Sequence, residues 1–117
     1  MDYDEYLPHI NVNDGKARIM NNMLLYITLL SKFKGQQMTI DLLNAIHDGD
    51  SAQAMHHAHA LRGTAGNLGF PILHDITKEI EALCKNGQPC DHLCQSLSDS
   101  MSALEAAIGK FIDSPEV

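Results

Sequence analysis

Residues 59–69 read His59-Ala60-Leu61-Arg62-Gly63-Thr64-Ala65-Gly66-Asn67-Leu68-Gly69, and this stretch decides the interpretation of the whole chain. On a helix, Arg62 and Gly63 share the face of His59, because residues three and four positions apart are neighbours. A glycine in a helix interior costs about 1 kcal/mol relative to alanine, so Gly63 and Gly66 require a reason. Helical side chains lean toward the N-terminus, so a side chain at position 63 would project over His59. We interpret the glycines as leaving the imidazole accessible to a large reactant or a docking protein; close packing of two helices is the alternative.

This spacing resembles the phosphoacceptor motif of histidine-containing phosphotransfer (HPt) domains. That motif runs His, any residue, a large apolar residue, Lys or Arg, Gly, any residue, Ala, and a Gly near +10, and each position is filled here. The resemblance extends over about residues 10–112, and it includes Phe33, the Gly49-Asp50 turn, Ile80 and Leu83. It implies an antiparallel four-helix bundle in which His59 accepts a phosphoryl group, Arg62 stabilises that group, and Gly63 and Gly66 provide access for a partner.

Composition also favours helices. The chain has 117 residues, enough for one domain, and only 5% of them are aromatic, while alanine, leucine, methionine and isoleucine dominate the apolar set. We therefore predict an all-α fold. A net charge of −7, with eight scattered lysines and arginines, argues against a nucleic-acid partner, since phosphate backbones are bound by clustered cations.

Apolar periodicity predicts where the helices lie. A short first helix is expected in 11–20, with Asn13 as its N-cap, followed by a long helix over 21–47 that is bent or broken near Gly35. Asp50 or Ser51 can cap the next helix. The remaining helices are predicted over about 51–68, 71–86 and 90–112. In the helix predicted over about 71–86, the residues expected to face the core are Ile72, Ile76, Ile80 and Leu83.

We divide the chain into a lead-in (1–10), the bundle domain (11–113) and a tail (114–117). The lead-in contains Leu7-Pro8-His9-Ile10, which resembles the linker before HPt modules of hybrid sensor kinases. No apolar run is long enough to span a membrane, and the acidic N-terminus lacks the features of a signal peptide. We expect a cytoplasmic monomer without direct membrane contact, or a module at the cytoplasmic face of the inner membrane if it belongs to such a kinase.

The chemistry of the motif suits phosphoryl transfer. Histidine side chains ordinarily have a pKa near 6.5, so most are uncharged nucleophiles at neutral pH and need no general base. Phosphoryl transfer does require positive charge around the transferred oxygens, which Arg62 would supply from a largely solvent-exposed position. Lys is more usual at that position among HPt domains. The antiparallel partner of position 59 falls near Glu81, where many HPt domains have glutamine; Lys78 and Lys85 are expected one turn away, and His56 one turn before His59.

These observations predict a phosphorelay carrier. His59 would receive a phosphoryl group from a receiver-domain aspartyl phosphate and pass it to a response-regulator receiver. No Gly-rich nucleotide loop is present, so we expect no kinase activity and no bound cofactor, with Mg²⁺ supplied by the receiver. The alternatives are a phosphate-independent adaptor that binds receivers, and a metal-binding bundle. Candidate metal ligands form two groups. The first is His56, His57 and His59. The second is the three cysteines Cys84, Cys90 and Cys94 with His92, and we otherwise expect these cysteines to be free thiols.

Overall fold

Six α-helices lie within residues 3–114, the part of the chain that the computed structural model describes, and this part contains no β-strand. The prediction of an all-α fold is confirmed. The helices are α1 (Val12–Ala17), α2 (Met23–Lys32), α3 (Gly35–His47), α4 (Ser51–Leu68), α5 (Pro71–Lys85) and α6 (Cys94–Ile112). Short 3₁₀ turns at Asp4–Tyr6 and Asp91–Leu93 precede α1 and α6.

Helices α3 to α6 form the four-helix bundle. The most extensive contact is between α4 and α5, while α3 packs against α4 and α6, and α5 also contacts α6. Connections of a few residues place successive helices side by side in opposite directions. Helix α1 packs on α4, and α2 packs on α4 and α6, so the two short helices cover one side of the bundle.

A glycine and a proline form the turn between α4 and α5. Gly69 ends α4 in the left-handed conformation, with φ of 78°, and Pro71 is at the start of α5. A Cβ at Gly69 would lie 2.5 Å from the carbonyl oxygen of Asn11, so glycine is also required sterically. At the other end of α4, the Asp50 side chain accepts a hydrogen bond from the amide of Gln53, as predicted for an N-cap. These caps fix where α4 begins and ends.

The long helix predicted over 21–47 is broken, not bent. Phe33 has an extended backbone, with ψ of 121°, and its ring packs 5.2 Å from that of Phe70. A Cβ at Gly35 would lie 2.5 Å from the Phe33 ring and 2.6 Å from the sulfur of Met101. The break therefore occurs where the backbone at the start of α3 packs tightly against the side chains of Phe33 and Met101.

The first helix is shorter than predicted, and its cap is a different residue. Asn11, not Asn13, accepts a hydrogen bond from a backbone amide, that of Asp14, and the helix ends at Ala17. Met20 and Asn21, in the connection to α2, adopt positive φ angles of 60° and 57°, and Met20 is 93% exposed. Residues other than glycine seldom take this conformation, so the position of the turn is difficult to predict from the sequence.

Residues 3–10, predicted as a lead-in, pack against the C-terminal end of α6. The rings of Tyr3 and Tyr6 lie edge-on to that of Phe111, at 5.8 and 5.1 Å, and Ile10 is fully buried. The amide of Asn11 donates to the carbonyl oxygen of Gly69 at 2.7 Å, which ties this segment to the α4–α5 turn.

The buried face of α5 agrees with the predicted one only in part. Ile80 is buried as predicted, and Ile76 and Leu83 are partly buried against the core. Leu73 and Thr77 are buried as well, whereas Ile72 is only partly covered. Thr77 tolerates burial because its hydroxyl donates to the carbonyl oxygen of Leu73 at 2.8 Å.

The last helix begins later than the predicted start near residue 90, since α6 starts only at Cys94. None of the helices in residues 3–114 is both long and apolar enough to cross a membrane.

Candidate functional site

His59 lies in the middle of α4, beside the stripe that faces the core. That stripe is made of small and apolar side chains, all of them buried: Ala54, Ala58, Leu61, Ala65 and Leu68. The side chain of His59 itself is 68% exposed. A capped helix therefore presents the imidazole to solvent.

Glu81 of α5 holds the imidazole of His59. Its Oε1 lies 2.9 Å from Nδ1, in the register that the antiparallel arrangement predicts. An ionised carboxylate only accepts hydrogen bonds, so Nδ1–H is the donor of this bond. In the neutral imidazole the lone pair is then on Nε2, the nitrogen that this hydrogen bond does not involve.

Arg62 is bound to the second oxygen of the same carboxylate. Its Nη1 lies 3.3 Å from Oε2 of Glu81, as an ion pair whose geometry is not that of a hydrogen bond. The side chain of Arg62 is 33% exposed and that of Glu81 is 19% exposed. The expectation that Arg62 is largely in solvent is therefore wrong, because Glu81 bridges His59 and Arg62 and draws the guanidinium toward α5.

Gly63 is exposed, and the space beside it is empty. A Cβ at this position would meet no neighbouring heavy atom within 4 Å. This observation counts against the alternative that Gly63 allows close helix packing. The site thus has an open surface one turn beyond His59.

Gly66 is in a different environment. A Cβ there would lie 3.5 Å from the ring of His74 on α5, an ordinary contact distance. His74 did not figure among the residues that the sequence predicts near the site. The register that pairs position 59 with 81 also pairs 66 with 74, and it is the signal that could have found this histidine.

Within residues 3–114, no hydrogen bond, ion pair or ring contact joins the other predicted neighbours to His59. The ring of His56 lies beside that of His57, at 5.4 Å between centroids. Lys78 and Lys85 are exposed, and within residues 3–114 neither forms an ion pair with Glu81. The site that the structure assembles is thus His59, Arg62 and Glu81, with Gly63 alongside.

The alternative of a metal site depends on ligands that converge. No group of three or more His, Cys, Asp or Glu side chains in the described part of the chain is arranged to hold a metal ion. All three cysteines are free thiols, and they lie around the α5–α6 connection.

The comparison with family models agrees with the geometry. The Hpt domain model matches residues 33–107, more than half of the chain, and this range includes the whole site. No match was found among curated proteins or among solved structures. With its helical bundle and its exposed histidine on α4, the chain belongs to the Hpt domain family, whose members have a histidine phosphotransfer role in phosphorelays and interact with receiver domains.

Proposed function

We propose that this protein accepts a phosphoryl group on Nε2 of His59 from the aspartyl phosphate of one receiver domain and passes it to a response-regulator receiver. The observation that carries the proposal is the hydrogen bond of 2.9 Å between Nδ1 of His59 and Glu81. It fixes the ring and leaves Nε2 as the nucleophile of a 68% exposed side chain.

The proposed transfer needs no catalytic group to take a proton from the attacking nitrogen. The lone pair of Nε2 forms the N–P bond while the bond between phosphorus and the aspartyl oxygen breaks, so the carboxylate of the receiver leaves with the electron pair. Negative charge spreads over the three remaining phosphoryl oxygens. Arg62, one turn from His59, is the cation that would stabilise them. In this proposal the Mg²⁺ belongs to the receiver, and the domain has no kinase activity of its own.

The receiver is proposed to approach over α4 at Gly63. This position has no neighbouring atom within 4 Å of where a Cβ would be, so the backbone of α4 is accessible beside the imidazole. Gly66 has a smaller part in this proposal, since a side chain there would meet His74.

The direct test is transfer from phosphorylated receivers. A panel of purified receivers carrying ³²P on their aspartate would be mixed with the protein, and phosphohistidine would be recognised by its lability in acid and stability in base. We expect label to move to this chain from at least one receiver, and from the labelled chain to a second receiver. Stable receiver binding without label on the chain would instead support the adaptor alternative.

Glu81 provides a prediction that separates ring orientation from charge. In Glu81→Gln the amide oxygen still accepts from Nδ1–H, while the negative charge near the incoming phosphoryl group is lost, so we expect transfer at least as fast as in the unchanged protein. In Glu81→Ala the ring loses its partner, and we expect transfer about tenfold slower, for about 1.5 kcal/mol of hydrogen bonding. Rapid-quench kinetics of both variants measure this, and equal rates for the two would show that the hydrogen bond does not orient the nucleophile.

Arg62 provides a second prediction, in which charge is separated from geometry. Arg62→Lys keeps the charge and should transfer almost normally, whereas Arg62→Ala should be slower by a factor of about 10 to 100, for about 1.5 to 3 kcal/mol of charge-assisted hydrogen bonding. Because Arg62 also pairs with the mostly buried Glu81, the alanine variant should lose about 1 kcal/mol of stability. Rates from rapid quench and thermal melts, measured on the same samples, test both parts. An alanine variant that transfers at the normal rate would assign Arg62 to packing.

A further inference from the structure

Two sulfur atoms lie close together near the C-terminal end of α5, at the opposite end of this helix from the α4–α5 turn. The Sγ of Cys84, near the end of α5, is 3.8 Å from the Sγ of Cys90, in the connection to α6. Cys90 is 5% exposed, and Cys84 is partly exposed. A disulfide bond is about 2.05 Å long, so the two sulfurs are in contact and must move closer for the bond to form.

A surface cavity leads to both cysteines. It has a volume of about 270 Å³ and lies between the α3–α4 turn and the α5–α6 connection, and Cys84 and Cys90 both line it. The remaining walls include Ser51 and Ala54 of α4 and the segment Gly87-Gln88-Pro89. The cavity is large enough for a small molecule such as hydrogen peroxide to reach the sulfurs.

We propose that Cys84 and Cys90 form a redox-active dithiol, which a small peroxide oxidises to a disulfide within the chain. The thiolate of Cys84 attacks one oxygen of hydrogen peroxide and forms a sulfenic acid, and the other oxygen leaves as water. The sulfur of Cys90 loses its proton and attacks the sulfenic sulfur, which forms the S–S bond and releases a second water. Two thiols lose two electrons and two protons, and the peroxide accepts them.

The surroundings of the cysteines set the order of these steps. Cys84 is the more accessible sulfur, so it meets the oxidant first. Burial raises the pKa of the Cys90 thiol to about 12, and the hydrogen-bonded contact with Cys84 and the nearby Cys94 and Asp91 act in the same direction. Cys90 therefore remains a thiol at neutral pH and acts as the resolving cysteine, which makes closure of the disulfide the slower step.

The consequence for the fold is local. The disulfide would close a loop over residues 84–90 and fasten the end of α5 to the segment that precedes α6. Cross-links of this kind stabilise a protein mainly by restricting its unfolded state. This reaction does not depend on phosphoryl transfer at His59.

Peptide mapping can identify the bond because trypsin separates the two cysteines. Cleavage after Lys78, Lys85 and Lys110 places Cys84 in peptide 79–85, and Cys90 and Cys94 together in peptide 86–110. The purified protein would be treated with hydrogen peroxide, its remaining thiols alkylated, and the digest analysed by mass spectrometry with and without a reductant. We expect peptides 79–85 and 86–110 to be linked, the free thiols to fall from three to one, and a reductant to restore all of them.

Single variants assign the partner and provide the control. Cys94→Ser should still give the linked peptides, whereas Cys84→Ser and Cys90→Ser should not, with circular dichroism showing that each variant is folded. The proposal is overturned if peroxide treatment leaves all three thiols free, if Cys84 pairs with Cys94 or Cys90 with Cys94, or if non-reducing electrophoresis shows that the bond joins two chains. Mapping of the unsubstituted protein decides these outcomes even if a serine variant does not fold.

Discussion

His59→Gln is expected to abolish acceptance of a phosphoryl group from every receiver that phosphorylates the unchanged protein. Glutamine has no nucleophilic ring nitrogen, and no other histidine in the described part of the chain lies against Glu81 and Arg62. The fold should change little, because the side chain of His59 is 68% exposed. We expect unfolding free energy to fall by no more than about 1 kcal/mol, mostly from the altered contact with Glu81. Labelled-receiver transfer, together with a thermal melt, measures both quantities.

The neighbouring histidines provide matched controls for this prediction. His56 and His57 lie on the same helix, and their rings contact each other. His56→Gln and His57→Gln should therefore accept phosphate at close to the normal rate. Label that persists in the His59 variant and disappears in one of these two would place the acceptor elsewhere on α4.

Gly63→Leu is expected to slow transfer from a receiver by at least about tenfold while the bundle remains folded. The new side chain would lean toward the N-terminus of α4 and cover the imidazole of His59, which would hinder docking of the receiver and in-line attack on phosphorus. The space beside Gly63 is empty, so the leucine does not disturb the core. Rapid-quench transfer assays over a range of receiver concentrations would show whether the slower transfer results from weaker receiver binding or from a slower chemical step.

Gly63→Ala separates this steric effect from backbone effects. Its Cβ would meet nothing within 4 Å, and replacing a helical glycine by alanine stabilises a helix by about 1 kcal/mol. We expect the alanine variant to melt at a higher temperature and to transfer at close to the normal rate. A normal rate in the leucine variant would contradict the access argument, and a destabilised alanine variant would restore the packing explanation.

The part of the site that could be predicted from the sequence is the part governed by local signals. Gly69 and Pro71 specify a tight turn between α4 and α5, and a tight turn fixes the register in which Glu81 faces His59. The boundaries of α4 follow from its caps, Asp50 and Gly69, for the same reason. These features depend on residues that are close in sequence and chemically distinctive.

The features that escaped prediction depend on tertiary packing. Arg62 is drawn from solvent by a carboxylate on another helix, a contact that no pattern within α4 indicates. The buried face of α5 includes Thr77, whose hydroxyl is satisfied within its own helix, so polarity alone misplaces it outside the core. The turn at Met20 and Asn21 uses a left-handed backbone conformation, which asparagine tolerates but methionine seldom takes.

The packing of the N-terminal residues determines how short a functional piece of this protein can be made. A fragment limited to residues 33–107, the range matched by the Hpt domain model, would retain His59, Arg62 and Glu81. It would lack Phe111 and the tyrosine rings that surround it, and it would also lack the hydroxyl of Tyr26, which donates to the carbonyl oxygen of Leu68 at 2.6 Å. The end of the helix that carries His59 would then lose its support. The residues that define the family by sequence are therefore fewer than those that hold His59 and its helix in place.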